Sequence, residues 1–106
     1  MKTITLETST EKHMIQGREV ELPFNDKSLI KEVVNTPIEG INIAQMRQRI
    51  NLLDKLEKAG DKLELEDADF DAIKGLIENY KFGIVSRHVL ALCEKFLNPE
   101  KQDGTL

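Results

Sequence analysis

The sequence has few of the residues on which disulfide-rich, metal-binding or aromatic-rich proteins depend. Its 106 residues include one cysteine, two histidines, one tyrosine and no tryptophan. A single cysteine cannot close an internal disulfide, and one cysteine with two distant histidines cannot form a zinc cage. We therefore expect no bound metal and no cofactor, and a fold stabilised by an apolar core.

Long apolar runs are also missing. A membrane-spanning helix needs about 20 predominantly apolar residues, and the chain contains no such run and no charged segment followed by an apolar one. The unpaired cysteine is typical of a reducing compartment. From these features we expect a cytoplasmic protein without a membrane partner.

The chain has no excess of basic charge. It carries 15 Lys and Arg against 19 Asp and Glu, a formal net charge of −4. Because phosphates attract basic surfaces, this balance disfavours binding driven by nucleic-acid or lipid phosphates. The densest acidic stretch contains four residues that we call the acidic cluster. They are Glu66, Asp67, Asp69 and Asp71.

What the chain does have is the size and the apolar content of one small domain, since 40% of its residues are hydrophobic. We expect a single globular domain over residues 1–98 and a flexible tail at 99–106. Within the domain, residues 2–24 have the pattern of β-strands and residues 26–97 that of helices. The sequence therefore predicts an α+β fold, mainly helical.

The β-rich part is indicated by alternation of polar and apolar side chains. Residues 3–6 and 20–24 alternate with the period of half-buried strands, and Gly17 lies between two such runs, where a tight turn is favoured. Residues 62–65 alternate briefly as well. We expect two or three short antiparallel strands at the N-terminus, arranged as a hairpin or meander.

Four amphipathic patterns predict four helices, each preceded by a side chain that can accept a hydrogen bond from the first turn. These N-caps are Asn25 or Asp26, Asn42, Asp67 and Ser86. Pro37 and Gly60 favour the ends of the first two helices. Asn42 with Gln45 three residues later also has the spacing of a capping box.

The second helix carries apolar residues around about half of its circumference. One stripe has the 3-4-3 spacing of a buried seam and consists of Ile43, Met46, Ile50 and Leu53. A second stripe includes Leu52 and Leu56, with Arg49 beside it. The first stripe is expected to face the core. Such a helix is either buried centrally among the others, with both stripes covered, or presents its second stripe to another protein or a second copy of the chain, and the second stripe is where we expect a contact.

The acidic cluster overlaps a partial match to a calcium-binding loop. Asp67, Asp69, Asp71 and Glu78 have the spacing of EF-hand ligands, but Ala72 stands where that loop needs glycine. The same residues fit the first turn of a helix, where carboxylates are favourable. We prefer the helix interpretation.

No catalytic set is convincing from the sequence. Ser86 and His88, with a distant aspartate, are the residue types of a hydrolytic triad, but no glycine-rich elbow surrounds Ser86, and N-capping explains it better. Cys93 lies in the middle of an apolar stripe, as a core residue does. We expect no catalytic residues and no enzyme activity.

Two interpretations involve nucleic acid. A small nucleic-acid-binding regulator needs a basic face, which Arg47, Lys55, Lys58 and Arg87 are the candidates to supply. Alternatively, the acidic run at residues 61–71 mimics nucleic acid and occupies a basic partner. Both are kept as alternatives to a protein-binding role.

Five short segments of the chain carry a family resemblance. They are Thr36-Pro-Ile-Glu-Gly-Ile, Met46-Arg-Gln-Arg, Leu53-Asp-Lys-Leu, Leu63-Glu-Leu-Glu-Asp-Ala-Asp-Phe and Tyr80-Lys-Phe-Gly. Through them, residues 29–97 resemble small uncharacterised proteins of tailed bacteriophages and prophages. The resemblance implies a phage-encoded accessory or assembly protein that acts by contact in the cytoplasm of the bacterial host, and it brings no catalytic residues.

Together these observations predict a non-enzymatic protein–protein interaction module, with a protein partner, a homo-oligomer or both. Two surfaces are expected to make the contacts. The first is Arg49, Leu52 and Leu56, which predicts self-association. The second is the acidic cluster, which predicts a basic partner and sensitivity to salt.

Overall fold

The structure, a computed structural model, describes residues 1–36 and 40–98. Within these residues the chain forms three strands, two helices, a fourth strand and two further helices. Their bounds are β1 Lys2–Thr5, β2 Thr8–Ile15, β3 Arg18–Asn25, α1 Asp26–Asn35, α2 Ile43–Lys58, β4 Lys62–Leu65, α3 Asp67–Asn79 and α4 Arg87–Leu97. The predicted α+β fold, mainly helical with an N-terminal hairpin, is confirmed.

Strands β2 and β3 form the hairpin. They pair antiparallel from Thr8 opposite Asn25 to Ile15 opposite Arg18. The two-residue turn has positive φ at both positions, 52° at Gln16 and 79° at Gly17. A turn of this hand matches the right-handed twist of the strands, and glycine adopts it without steric cost. The turn predicted at Gly17 is confirmed.

Strand β1 does not extend the hairpin into a meander. It pairs antiparallel with β4, with Ile4 opposite Leu63 and Lys2 opposite Leu65. Ile4, Leu63 and Leu65 are all buried. The alternation of side chains predicted both strands but not their pairing, because alternation shows which face is apolar and does not identify the neighbouring strand.

Three helix starts agree with the predicted caps. The Asn25 side chain accepts from the Ser28 N–H at 3.1 Å, and the Ser86 hydroxyl accepts from the Val89 N–H at 3.2 Å. At α2, Asn42 and Gln45 form both hydrogen bonds of a capping box. The cap predicted at Asp67 is wrong, because Asp67 is already helical and Glu66 takes the N-cap position without a side-chain hydrogen bond.

The core contains apolar side chains from β1, β3, β4 and all four described helices. The α2 side chains in it belong to the stripe that was expected to be exposed. Leu52 and Leu56 are 1% and 0% exposed, whereas Ile43, Met46 and Ile50 are 68%, 48% and 51% exposed. The predicted faces of α2 are therefore wrong. At about 100° per residue, Leu52 lies on the side of the helix opposite Ile43. Periodicity locates two stripes but does not say which one the rest of the fold covers.

Two expectations lie outside the described residues. They concern Pro37 as the residue that ends α1 and the flexible tail at 99–106. The helices next to them end at Asn35 and Leu97.

Candidate functional site

The exposed residues Ile43, Met46 and Ile50, which we call the α2 stripe, form the first candidate surface. The helix is held on one side by α1, where Lys31 pairs with Glu57 and Arg49 Nη1 donates to the Val34 carbonyl at 3.2 Å. Apolar residues exposed in a row on a helix mark an interaction surface more often than isolated ones do.

Two charged side chains flank the α2 stripe on the same edge. Arg47 and Asp54 are both exposed, and neither forms an ion pair within the part of the chain that is described. Arg47 lies in the first half of the helix and Asp54 in the second. The stripe therefore has a positive and a negative group at different heights along one side.

A groove of about 650 Å³ lies between the carboxyl ends of α1 and α3 and the first half of α2. We call it the three-helix groove. Its described lining is mixed, with apolar, amide and cationic groups. The lining residues are Val33, Thr36, Gly40, Ile41, Gln45, Arg49, Gly75, Leu76, Asn79, Tyr80 and Lys81.

The polar residues of the three-helix groove are partly fixed by neighbours. Asn79 Nδ2 donates to the Gly75 carbonyl at 2.9 Å. The pKa of Tyr80 is raised by burial and, secondarily, by the nearby Glu32 carboxylate. Of the predicted contact residues, Arg49 lines this groove. Leu52 and Leu56 are buried and cannot contact a partner in this fold.

The acidic cluster is less uniform than the sequence indicates. Asp69 turns towards α2 and pairs with Lys55, and its side chain is only 19% exposed. Asp67 lies 3.6 Å from the N-terminal amine, while Glu66 and Asp71 are exposed. In the described ranges no group of three or more His, Cys, Asp or Glu is placed to hold a metal ion. The role of the cluster in partner binding stays a prediction.

The four cations proposed for a basic face have unequal surroundings. Lys55 is engaged by Asp69, and Arg87 lines a small cavity together with Glu11 and His13. Neighbouring carboxylates reduce the attraction of such cations for phosphate. The nucleic-acid alternative loses support from these two residues.

A buried charged network, which sequence reasoning missed, joins the β-rich part to the helices. Asp26 is 1% exposed. Its Oδ1 lies 2.6 Å from His88 Nε2, and its Oδ2 accepts from Lys95 Nζ and from the Glu7 N–H, each at 2.9 Å. Lys95 also donates to the Thr5 carbonyl at 2.8 Å and to Glu7 at 3.1 Å. Each buried charge thus has opposite charges and hydrogen bonds around it, as burial requires.

The hairpin meets this network through β2. Ser9 Oγ lies 2.6 Å from His88 Nδ1, and Glu11 accepts from the His88 N–H at 2.7 Å. His13 Nε2 lies 2.9 Å from the same carboxylate, and Phe24 stacks on the His88 ring. The pKa of Glu11 is lowered to about 2, first by the His13 side chain and then by hydrogen bonds from the His88 N–H and Ser86. Glu11 therefore acts as an additional cap at the positive end of α4.

Ser9, His88 and Asp26 contact one another in the order of a nucleophile, a base and a carboxylate. Lys95 and the Glu7 N–H, however, already hold the Asp26 carboxylate. The neighbouring cavity is lined by Glu11, Lys12, His13, Val85 and Arg87, and does not include Ser9. The contacts account for how β2, α1 and α4 are held together without requiring catalysis.

Little in the sequence pointed to this network. Its members come from distant parts of the chain, and each has an ordinary local interpretation, Asp26 as a first-turn carboxylate and Lys95 as a basic residue in a last helical turn.

No helix in residues 1–36 and 40–98 is long and apolar enough to cross a membrane. Comparison with protein-family models, with curated proteins and with solved structures finds no match.

Proposed function

We propose that this chain is a non-enzymatic protein-binding module that associates with a second copy of itself through the α2 stripe. The observation that carries the proposal is the exposure of Ile43, Met46 and Ile50, at 68%, 48% and 51%, on a helix whose opposite side supplies the buried Leu52 and Leu56. Covering these side chains removes apolar surface from water, which is the main favourable term in association.

The spacing of the α2 stripe suits a second helix. Ile43, Met46 and Ile50 follow the 3-4 repeat of a coiled-coil seam, and the half-buried Leu53 continues it. A helix laid along this seam can insert its own apolar side chains between those of α2. Within residues 1–36 and 40–98, Ile43, Met46 and Ile50 stay exposed while α2 packs mainly against α1.

The charges at the edge of the α2 stripe favour an antiparallel second copy. In that arrangement, Arg47 in the first half of one helix approaches Asp54 of the partner subunit, and the reciprocal pair forms at the other end of the two-fold contact. A parallel copy places like charges at the same height instead. Opposite charges across an interface mainly set its orientation and specificity.

We also propose that the module is a phage-encoded accessory or assembly protein of the bacterial cytoplasm. The support is the resemblance of residues 29–97 to small proteins of tailed bacteriophages and prophages. Self-association through α2 is compatible with an assembly role, because closed symmetric contacts build most homo-oligomers.

The solution mass across protein concentration, measured by light scattering coupled to size exclusion, tests the self-association. We expect the mass to rise towards twice 12.1 kDa with concentration. Ile50→Glu, which places a charge in the α2 stripe, is expected to keep the protein monomeric at the same concentrations. Met14→Glu changes a side chain that is 69% exposed on the hairpin and serves as the matched control.

A wild-type mass that stays at 12.1 kDa up to millimolar concentration contradicts the proposal. A dimer that Ile50→Glu leaves intact also contradicts it, because the contact then lies elsewhere. Circular dichroism of both variants establishes that the fold is kept.

A further inference from the structure

Gly75 lies inside α3 and lines the three-helix groove. A Cβ built on it meets no heavy atom within 4 Å, so no close contact in the described part of the chain requires glycine here. Glycine weakens a helix interior relative to alanine. Without a side chain, Gly75 leaves the groove wider beside the α3 backbone than alanine would, and it makes the helix less stable.

The three-helix groove has the size of a ligand site. Its volume of about 650 Å³ lies within the range of about 300–1,000 Å³ that is typical of such sites. Val33, Ile41 and Leu76 supply apolar surface, and the missing side chain at Gly75 adds room next to Leu76. An apolar side chain of an incoming segment fits this part of the groove.

The described lining of the three-helix groove contains two cations, Arg49 and Lys81, and the Glu32 carboxylate approaches it at Tyr80. Together these described groups are more positive than the chain as a whole, in which acidic residues outnumber basic ones by 19 to 15. Arg49 uses Nη1 on the Val34 carbonyl, and its other N–H groups bond no described residue. The remaining N–H groups of the guanidinium can donate hydrogen bonds to a carboxylate that enters the groove.

We infer that the three-helix groove binds a peptide segment of a different protein, one that carries an apolar side chain next to an Asp or Glu. The apolar side chain enters beside Gly75 and Leu76, and the carboxylate meets Arg49 and Lys81. This surface is distinct from the α2 stripe, so the inference does not depend on self-association.

Selection from a displayed library of random 12-residue peptides tests the inference. The library is selected on the wild-type protein and counter-selected on Gly75→Leu, in which a side chain fills the groove while the helix is preserved. We expect the surviving peptides to be enriched in an acidic residue adjacent to Leu, Ile or Phe. A basic or purely apolar consensus, or no peptide that survives counter-selection, overturns the inference.

Fluorescence anisotropy with the consensus peptide then measures the contribution of the cations. Lys81→Glu, at an exposed position, is expected to weaken binding about tenfold or more, and Lys58→Glu at the far end of α2 is expected to leave it within about twofold. Equal affinities for the two variants overturn the proposed role of the Lys81 charge. That role is also overturned if a peptide whose acidic residue is replaced by Lys binds as well as the original peptide.

Two further measurements separate this inference from self-association. Amide shifts in the protein on adding the peptide are expected at Gly40, Gly75 and Asn79, and shifts confined to other residues overturn the location. The monomeric Ile50→Glu variant is expected to bind the peptide with unchanged affinity. Loss of binding in that variant would place the peptide on the α2 stripe instead.

Discussion

At the residue scale, Gly75 lowers the stability of α3 relative to an alanine at the same position. Gly75→Ala is expected to stabilise the protein by about 0.5–1 kcal/mol, because it lowers the conformational entropy of the unfolded chain and adds no clash. Thermal unfolding checks this, since about 1 kcal/mol shifts the melting temperature by roughly 4–8 °C in a domain of this size.

Gly17→Ala provides the contrasting substitution. Gly17 has a φ of 79° in the hairpin turn. Alanine is strained in this backbone conformation even though the space around Gly17 is open. This variant is expected to lose about 1–2 kcal/mol. If both alanine variants shift stability in the same direction, backbone geometry does not explain the use of glycine at these two positions.

The Glu11 carboxylate makes the folding stability depend on pH. Its pKa is lowered to about 2, chiefly by the hydrogen bond from His13. The folded protein keeps this carboxylate ionised at pH values where the unfolded chain, with a pKa of 4.5, has bound a proton. The contribution to stability is therefore complete above about pH 4.5 and disappears as the pH falls towards 2.

Glu11→Gln is expected to remove this contribution. Between about pH 4.5 and pH 2, the free energy of unfolding of the wild type should fall more steeply than that of the variant. Urea unfolding at a series of pH values measures both slopes. Glu21→Gln, at an exposed position on β3, is the control and should follow the wild type. Parallel slopes for Glu11→Gln and the wild type would contradict the role assigned to Glu11.

At the scale of the element, α2 shows how an amphipathic pattern can be interpreted with the wrong orientation. Both of its stripes are apolar, so hydrophobic periodicity alone does not separate core from surface. The side that faces the core is the one that the rest of the fold covers, where Leu52 and Leu56 join the buried cluster. The local spacing of the helix does not show which side that is.

Alanine substitutions on the two stripes of α2 should differ in their cost. Leu56→Ala removes a side chain that is 0% exposed and is expected to cost about 2–5 kcal/mol. Ile50→Ala removes one that is 51% exposed, and its effect on the monomer is expected to stay within about 0.5 kcal/mol. Chemical denaturation at low protein concentration, where self-association is minimal, makes the comparison. A larger loss for Ile50→Ala than for Leu56→Ala would reverse the assigned faces.

At the scale of the whole molecule, the Asp26 network connects the hairpin to the helices and to the chain that follows β1. The hairpin and the β1–β4 pair are separate two-stranded sheets. Asp26 at the start of α1 contacts His88 and Lys95 of α4 and the backbone of Glu7 between β1 and β2. An isolated two-stranded hairpin is marginal in water, so this docking helps to keep β2 and β3 in place.

Asp26→Asn is expected to cost about 3–5 kcal/mol, because the buried Lys95 loses one of its two carboxylate partners. Urea unfolding measures the loss, and hydrogen exchange is expected to rise first in β2 and β3. Asp54→Asn, an exposed change without a described ion pair, is the matched control and should stay within about 0.5 kcal/mol at low protein concentration, where self-association is minimal. A loss below about 1 kcal/mol for Asp26→Asn would show that the network is dispensable.

Local chemistry made much of the fold predictable. The caps at Asn25, Asn42 and Ser86 and the turn at Gly17 depend on residues within a few positions of one another, and all four were confirmed. The candidate sites were less predictable. Of the predicted contact residues, Leu52 and Leu56 are buried, while Arg49 belongs to a groove that three separate helices create.

The strands and helices, the hairpin turn and most of the caps follow from the amino-acid pattern, because they depend on periodicity and on hydrogen bonds between near neighbours. Packing of the elements is needed to explain the pairing of β1 with β4, the face of α2 that is buried, and the contacts of Asp26 with His88 and Lys95. Each of these joins residues far apart in the chain, so it depends on how the elements pack rather than on any local pattern.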